Sequence, residues 1–418
     1  MDTISVDDGS QTVHGGVGMK SGQAIVKILG VFLFGLLLAS CTQPEPAIEG
    51  LANTYAAQTL AALPAKTATP EPDAPPTPTP TEAFTATPLP TLGPVGPADF
   101  PEGVNPLTGL YVSEPENLNR RPVFVKVANY PPSGRPHAGL SSADMVFEYY
   151  IAAGTNRFIG LFYGQNASKI GPVRSGRLVD PQIVNMYQGI LGMESADPLV
   201  YGRILDVLGD RIINGRGTCP AICDDGRYIV TSVFADSAAM SALAEQRGVN
   251  QKQLALEGMA FDPQPPAEGE PGEQATILYS SLNRGEWRYD EETGRYLRWI
   301  EDTTGSALEM IPLVDSETDE QLAFSNVIVL FASHTEYTPQ KHDISLWNVT
   351  GQPAVVFRDG KAYQGTWTAP VNNQPIQFLD ETGEVFPLKP GNTWVVIFGV
   401  NSTYTEDEGS WTFNFWLP

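Results

Sequence analysis

Two arginines flank one serine in Gly171-Pro172-Val173-Arg174-Ser175-Gly176-Arg177, the strongest chemical signal in the chain. Guanidinium forks match the oxygens of a carboxylate or phosphate, and the N-terminus of a following helix adds backbone donors at the same end. Gly171, Pro172 and Gly176 allow tight backbone approach between a strand and a helix. In a chain with 25 Lys+Arg against 48 Asp+Glu, three basic residues (Lys169, Arg174, Arg177) within nine positions stand out. The chemistry expected is capture of an anion, with Arg135, His137, Arg157, Arg174, Ser175 and Arg177 as the ligand-binding candidates. The competing expectation is structural: these arginines pair with internal acids such as Asp144, Glu148 or Asp180.

A catalytic reading uses the same region. Arg135-Pro136-His137 lies on a Pro/Gly-rich loop between two expected strands, and a histidine there is a natural proton carrier near neutral pH. An envelope hydrolase or transferase would use His137 with Ser175 or Glu148, or in a triad with Asp144. Ser175 has no Gly-x-Ser-x-Gly frame, and a serine needs its base brought to it in space. His137 as a satisfied loop residue, and Glu148 paired with Arg157 inside a sheet, are the plainer alternatives. The balance favours binding or an adaptor role over catalysis.

The remaining candidates are weaker. His334, His342 and Asp343 could line a groove or bind metal, but their spacing matches no metal motif. Glu406-Asp407-Glu408-Gly409 reads as a solvated turn before a Ca²⁺ site. Trp287, Trp299, Trp347, Trp367 and Trp394 read as β-domain core before sugar-stacking platforms. No metal and no cofactor is expected.

The cysteines set the compartment. Lys20 and Lys27 precede an apolar run over 28–38, about 11 residues, inside the roughly 7–15 of a signal-peptide core and short of the ~20 that span a bilayer. It ends in Leu38-Ala39-Ser40-Cys41, a pattern that resembles the lipobox of bacterial lipoproteins. Residues 1–40 are therefore expected to be a signal peptide, with Met19 the better start. Cys41 is expected to carry lipid that anchors the chain to the membrane on its extracytoplasmic face. Removing 1–40 leaves 23 basic against 45 acidic residues, a balance of −22 that argues against nucleic acid. Only Cys219 and Cys223 then remain, and outside the cytoplasm their spacing suits a local disulfide.

The elements that must position these groups follow from texture. Residues 41–100 are a Pro/Thr-rich stalk, a semi-rigid spacer whose polyproline segment extends about 3.1 Å per residue; 47–63 has helical spacing within it. Strands are expected over 121–129, 144–151 and 157–163, and helices over 178–187, 198–208 and 237–247, with the apolar run 190–193 between the first two. That alternation predicts an α/β, sandwich-like domain over 103–260. A Pro/Glu-rich linker over 261–274 leads to a smaller β-rich domain over 275–418. Its expected strands include 276–279, 287–289, 296–299, 326–332, 354–358, 393–399 and 411–417, with turns at Asp359-Gly360 and Thr382-Gly383. The fold class expected is α+β.

Several ordered runs also resemble a known family. Asn105-Pro106-Leu107-Thr108-Gly109, Arg135-Pro136-His137-Ala138-Gly139-Leu140, Ala143-Asp144-Met145-Val146-Phe147-Glu148 and the 171–177 loop are four. Phe357-Arg358-Asp359-Gly360, Gln364-Gly365-Thr366-Trp367 and Leu388-Lys389-Pro390-Gly391-Asn392-Thr393-Trp394 continue them. Over about 105–400 the chain is similar to the YerB-type lipoproteins. That resemblance implies a bacterial lipoprotein of two domains without an established activity. Leu191-Gly192-Met193-Glu194 stands where the family pattern has His-Ala-Gly-Gly, and Cys219 and Cys223 are particular to this chain. The partners expected are the bilayer through Cys41 and an anionic envelope ligand or a protein.

Overall fold

Val123, Val125 and Val127 alternate with Phe124 and Lys126, and a period of two sends each set to a different face of a strand. Both faces of that strand are buried, so its element lies inside a layered body. The computed structural model describes residues 92–227, 229–250, 254–304 and 309–418, all within one compact unit. The expected signal peptide, Cys41, the helical spacing of 47–63 and most of the expected stalk lie outside the described residues.

The first half supplies β1 (Val123–Ala128), β2 (Met145–Ala152), β3 (Thr155–Phe162), β4 (Ile190–Met193) and β5 (Ile212–Asn214). The second half supplies β6 (Gln274–Ser280), β7 (Asn283–Asp290), β8 (Arg295–Glu301), β9 (Asn326–Thr338) and β10 (Lys341–Ser345). It continues with β11 (Val349–Arg358), β12 (Lys361–Ala369), β13 (Thr393–Gly399), β14 (Thr403–Asp407) and β15 (Ser410–Asn414). Helices are α1 (Asp180–Met186), α2 (Pro198–Leu208) and α3 (Ser237–Gln246). Asp197 caps α2 by accepting from Leu199 N, and Asp236 caps α3 by accepting from Ala239 N.

One large sheet runs β12-β11-β9-β13-β2-β3-β1-β4-β5. Strands of both halves meet inside it, because β13 pairs parallel with β2 from Thr393–Met145 to Ile397–Tyr149. A second sheet runs β8-β7-β6-β15-β14. On one face of the large sheet, Phe124, Phe147, Ile159 and Leu161 pack with Ile183, Val184, Val200 and Ile204 of α1 and α2. On the other, Val123, Val125, Phe158 and Phe162 share a core with Met240 of α3 and with Ile277, Trp287 and Trp411 of the second sheet. Trp367 and Trp394 are also fully buried.

Three expectations change. The body is mostly sheet: the α/β pattern holds only from α1 to β5, where β4 and β5 lie parallel beside β1. Elsewhere antiparallel hairpins prevail, which apolar runs buried on both faces do not announce. The 261–274 segment is not a free linker. Ala260–Phe261 pairs with Pro387–Leu388, and Glu270 and Pro271 pair with Ala362 and Lys361 of β12 and form the edge of the large sheet there. Proline is tolerated at such an edge. The stalk also reaches the body before 100, where Val95 bridges to Phe261 and the Phe100 ring stands 6.4 Å from that of Phe261.

Glu148 joins the two sheets. It is buried on the face opposite α1 and α2, 3.1 Å from Arg298 of β8, and accepts from Trp394 Nε1 at 2.8 Å and Asn156 Nδ2 at 2.5 Å. Cys219 and Cys223 form a disulfide across the turn into the Ile222–Asp224 strand.

Candidate functional site

Lys126 on β1, Tyr149 on β2 and Arg157 on β3 all extend toward the helix-covered face, with Tyr149 and Arg157 directly opposite in register. β1, β2 and β4 run in one direction, and the side chains gather near their C-terminal ends, where open α/β sheets commonly hold ligands. The arginine loop is strung between two of those ends. Arg174 N donates to Lys126 O (2.9 Å), Glu194 N to Arg174 O (3.2 Å) and Gly176 N to Ser195 O (2.8 Å). Gly176 is closely packed there: a Cβ would meet Ile204 Cδ1 at 2.7 Å and Met193 Sδ at 2.8 Å, so both side-chain ends would have to shift.

Asp180, at the start of α1, organises the floor of the site. Its Oδ2 accepts from Arg177 N at 2.6 Å, and its Oδ1 accepts from the Tyr149 hydroxyl in a short contact. Lys126 Nζ lies 3.4 Å from the same Oδ1 and also donates to the Tyr149 hydroxyl. Lys126, Tyr149 and Asp180 are wholly buried. Burial pulls the Lys126 pKa down to about 7; Asp180 opposes the fall, and the Arg157 and Arg177 charges add to it.

Above this floor the guanidinium groups of Arg157 and Arg177 converge on one carbonyl. Arg157 Nη1 donates to Ser175 O at 2.7 Å, and Arg177 Nη1 to Gly176 O at 2.8 Å and Ser175 O at 3.4 Å. Neither has a carboxylate partner among the described residues. Arg174 is 3.9 Å from Glu194, whose other oxygen holds Arg216 at 3.1 Å. The Nε donors of Arg157 and Arg174 are buried without an acceptor. Burial, then Arg177 and Arg174, lower the Arg157 pKa to about 9. The Ser175 and Ser195 hydroxyls, 3.1 Å apart, complete the group. Three guanidinium groups, of Arg157, Arg174 and Arg177, thus stand over the buried Lys126–Asp180 pair, two of them with buried donors left unpaired, an arrangement that can hold an anion.

Arg157, Arg174, Ser175 and Arg177 are therefore brought together, and two expected members are not. Arg135 instead reaches Glu301 at 2.9 Å and Asn129 Oδ1 at 3.1 Å. His137 is wholly buried, with Nε2 2.7 Å from Ala128 O and its ring 5.2 Å from Phe158, on the face away from α1 and α2. Burial, helped by the Arg135 charge, drops its pKa to about 3, so the ring is uncharged near neutral pH and Nε2–H donates to Ala128 O. Glu148 is held by Arg298, and Asp144 by Asn105 Nδ2 and the backbone amides of Tyr163 and Gly164. His137, Ser175 and the acids do not form a catalytic group, and the expected pairing of Glu148 with Arg157 gives way because adjacent strand positions alternate faces. Sequence reasoning missed Lys126, Tyr149, Glu194 and Ser195, and named Asp180 only as an internal acid for the arginines. The available signal was Lys126, a lone charge in Val-Phe-Val-Lys-Val-Ala.

Two family models match this chain, the N-terminal domain of a protein of unknown function (DUF3048) over 107–250 and its C-terminal domain over 275–395. The chain belongs to the DUF3048 family. The DUF3048 N-terminal region carries the whole arginine site, and the C-terminal region supplies β9 and the start of β13 to the same sheet. The protein named "Putative lipoprotein YerB" of Bacillus subtilis (strain 168) is 27% identical over 304 residues, 70% of this chain and 85% of YerB. The crystal structure of YerB protein from Bacillus subtilis matches with a TM-score of 0.58 at 26% identity, covering 70% of this chain and 96% of that one. Among the described residues, no helix is long and apolar enough to cross a membrane.

Proposed function

We propose that this DUF3048 member is a lipid-anchored envelope protein that binds a small anionic ligand. Acylated Cys41 holds the chain to the outer face of a membrane, and the cleft at the ends of β1, β2 and β4 takes the ligand. Arg157, Arg174 and Arg177 supply charge, Ser175 and Ser195 supply hydroxyls, and Lys126 with Asp180 fixes the floor. The observation that carries this reading is the pair of buried Nε donors on Arg157 and Arg174 without acceptors. Buried donors normally have partners, so a ligand oxygen is the natural complement. Nothing favours a hydrolase built on His137, whose ring is enclosed on the other side of the sheet.

The test is thermal melting of the full chain with phosphate and with small di- and tricarboxylates, at ionic strength matched with chloride. One of these anions is expected to raise Tm in the wild type and not in the Arg174→Ala/Arg177→Ala variant. Binding at about a hundred times Kd would stabilise the fold by ~2.7 kcal/mol, a shift well above noise. Unchanged wild-type melting with every anion, or an equal shift in the variant, removes the cleft from the proposal. Incorporation of labelled palmitate that persists in Cys41→Ser would remove the anchor.

A further inference from the structure

The arginine cleft has a neighbour of opposite character. The Ile222–Asp224 strand pairs antiparallel with Val233–Ala235, and the segment 225–232 joins them as a hairpin. Hairpin and cleft touch: Arg174 Nη1 donates to Val230 O at 3.2 Å. At that same point Ile229 is 46% exposed and Val230 52%. Adjacent aliphatic side chains left in water beside a polar site mark a surface for a partner.

The hairpin holds these two residues out by a set of polar bonds. Asp225 N donates to Ser232 O at 2.8 Å, and Arg227 Nη2 donates to Thr231 O at 2.9 Å. Ser232 Oγ lies 2.8 Å from both Asp224 Oδ2 and Ile229 O. Its acids are also neutralised, so they do not repel an anion. Arg227 Nε holds Asp225 at 2.7 Å, and Arg216 holds Asp224 at 2.8 Å and Glu194 at 3.1 Å.

Charged donors next to bare aliphatic carbon are the complement of an amphiphile. Three guanidinium groups and the Ser175 and Ser195 hydroxyls outnumber the two oxygens of a carboxylate. They suit the three terminal oxygens of a phosphate monoester. A tail leaving that head past Arg174 would meet Val230 and then Ile229.

We propose that the cleft takes the phosphate monoester head of a membrane amphiphile, with the first part of its tail lying on Ile229 and Val230. This inference rests on the anion reading of the cleft and adds the apolar half of the ligand. A body tethered to a bilayer through Cys41 would meet such lipids at raised effective concentration.

The experiment is calorimetric titration of the full chain with glycerol phosphate and with dihexanoyl phosphatidic acid below its micelle concentration. These two ligands differ only in the acyl chains. The lipid is expected to bind at least about tenfold tighter, since each buried methylene is worth roughly fourfold in affinity. Ile229→Ser/Val230→Ser should bring that ratio toward one, and Arg174→Ala/Arg177→Ala should weaken both ligands at least about tenfold. Equal wild-type affinities would make the ligand a soluble phosphate ester and overturn the inference. An undiminished ratio in Ile229→Ser/Val230→Ser would overturn it too, and the cleft would stand in both cases. No binding of either ligand, or binding unchanged in the arginine variant, would overturn the inference at its head group and count against the cleft as well.

Discussion

A buried lysine beside arginines costs stability while it is charged, and Lys126 makes that cost measurable. Its pKa is about 7 in the fold against 10.5 as an ordinary lysine. Between those values the unfolded chain holds a proton that the folded chain lacks. Stability from this group therefore rises as pH climbs from about 7 toward 10, by up to about 1.4 kcal/mol per pH unit. The Tyr149 phenol is pushed up from 10, so it does not titrate between pH 7 and 9. Urea melts should show wild type gaining on Lys126→Met from pH 7 to 9; parallel curves would mean that Lys126 is not held neutral. At this scale the sequence was half legible. Arg174, Ser175 and Arg177 lie together in the chain, and spacing alone exposed them. Arg135 and His137 matched by residue type, but which face they meet depends on strand alternation and on a partner, Glu301, far along the chain.

At the scale of elements, the informative contact is the one between sheets. Arg298 of β8 and Glu148 of β2 are each about 1% exposed, so removing one partner strands a buried charge. Arg298→Met should destabilise the fold by roughly 3–5 kcal/mol in denaturant melts. Lys169→Ala, which removes an ion pair with side chains 45% and 35% exposed, should change it by less than about 1 kcal/mol. Equal effects would show that the Glu148 pair does not bind the sheets. Local turn chemistry explains what could be read here. Asp359 and Gly360 both have positive φ, 53° and 72°, as a two-residue hairpin turn between β11 and β12 requires. The turn was visible and β12 itself was not, because Gly365 and Gln364 weaken its alternation. The helices were legible from their periodicity, and α3 also from its cap at Asp236.

For the whole molecule, the two DUF3048 regions look separable in sequence and are interleaved in space. The Pro/Glu-rich stretch between them resembles a linker by composition, yet pairing of 145–149 with 393–397 places β13 directly beside β2. No local pattern encodes a parallel pair that distant. Residues 92–260 alone would leave β2 without its neighbour and Glu148 without Arg298 and Trp394. Residues 261–418 alone would leave β13 as an open edge of Val395, Val396 and Ile397, all buried in the intact body. Expressed apart, each half should therefore lack a cooperative melt and show little amide protection on β2 or β13. Expressed together, the halves should co-purify and regain protection on both strands. Cooperative melting of 92–260 alone, with protected β2 amides, would instead make the first DUF3048 region an independent domain. The proposed anion site would then keep its main groups, since Lys126, Tyr149, Arg157, Asp180 and the 171–177 loop all lie in the first half, and would lose only neighbours such as Tyr337, whose phenol lies in the field of Arg177.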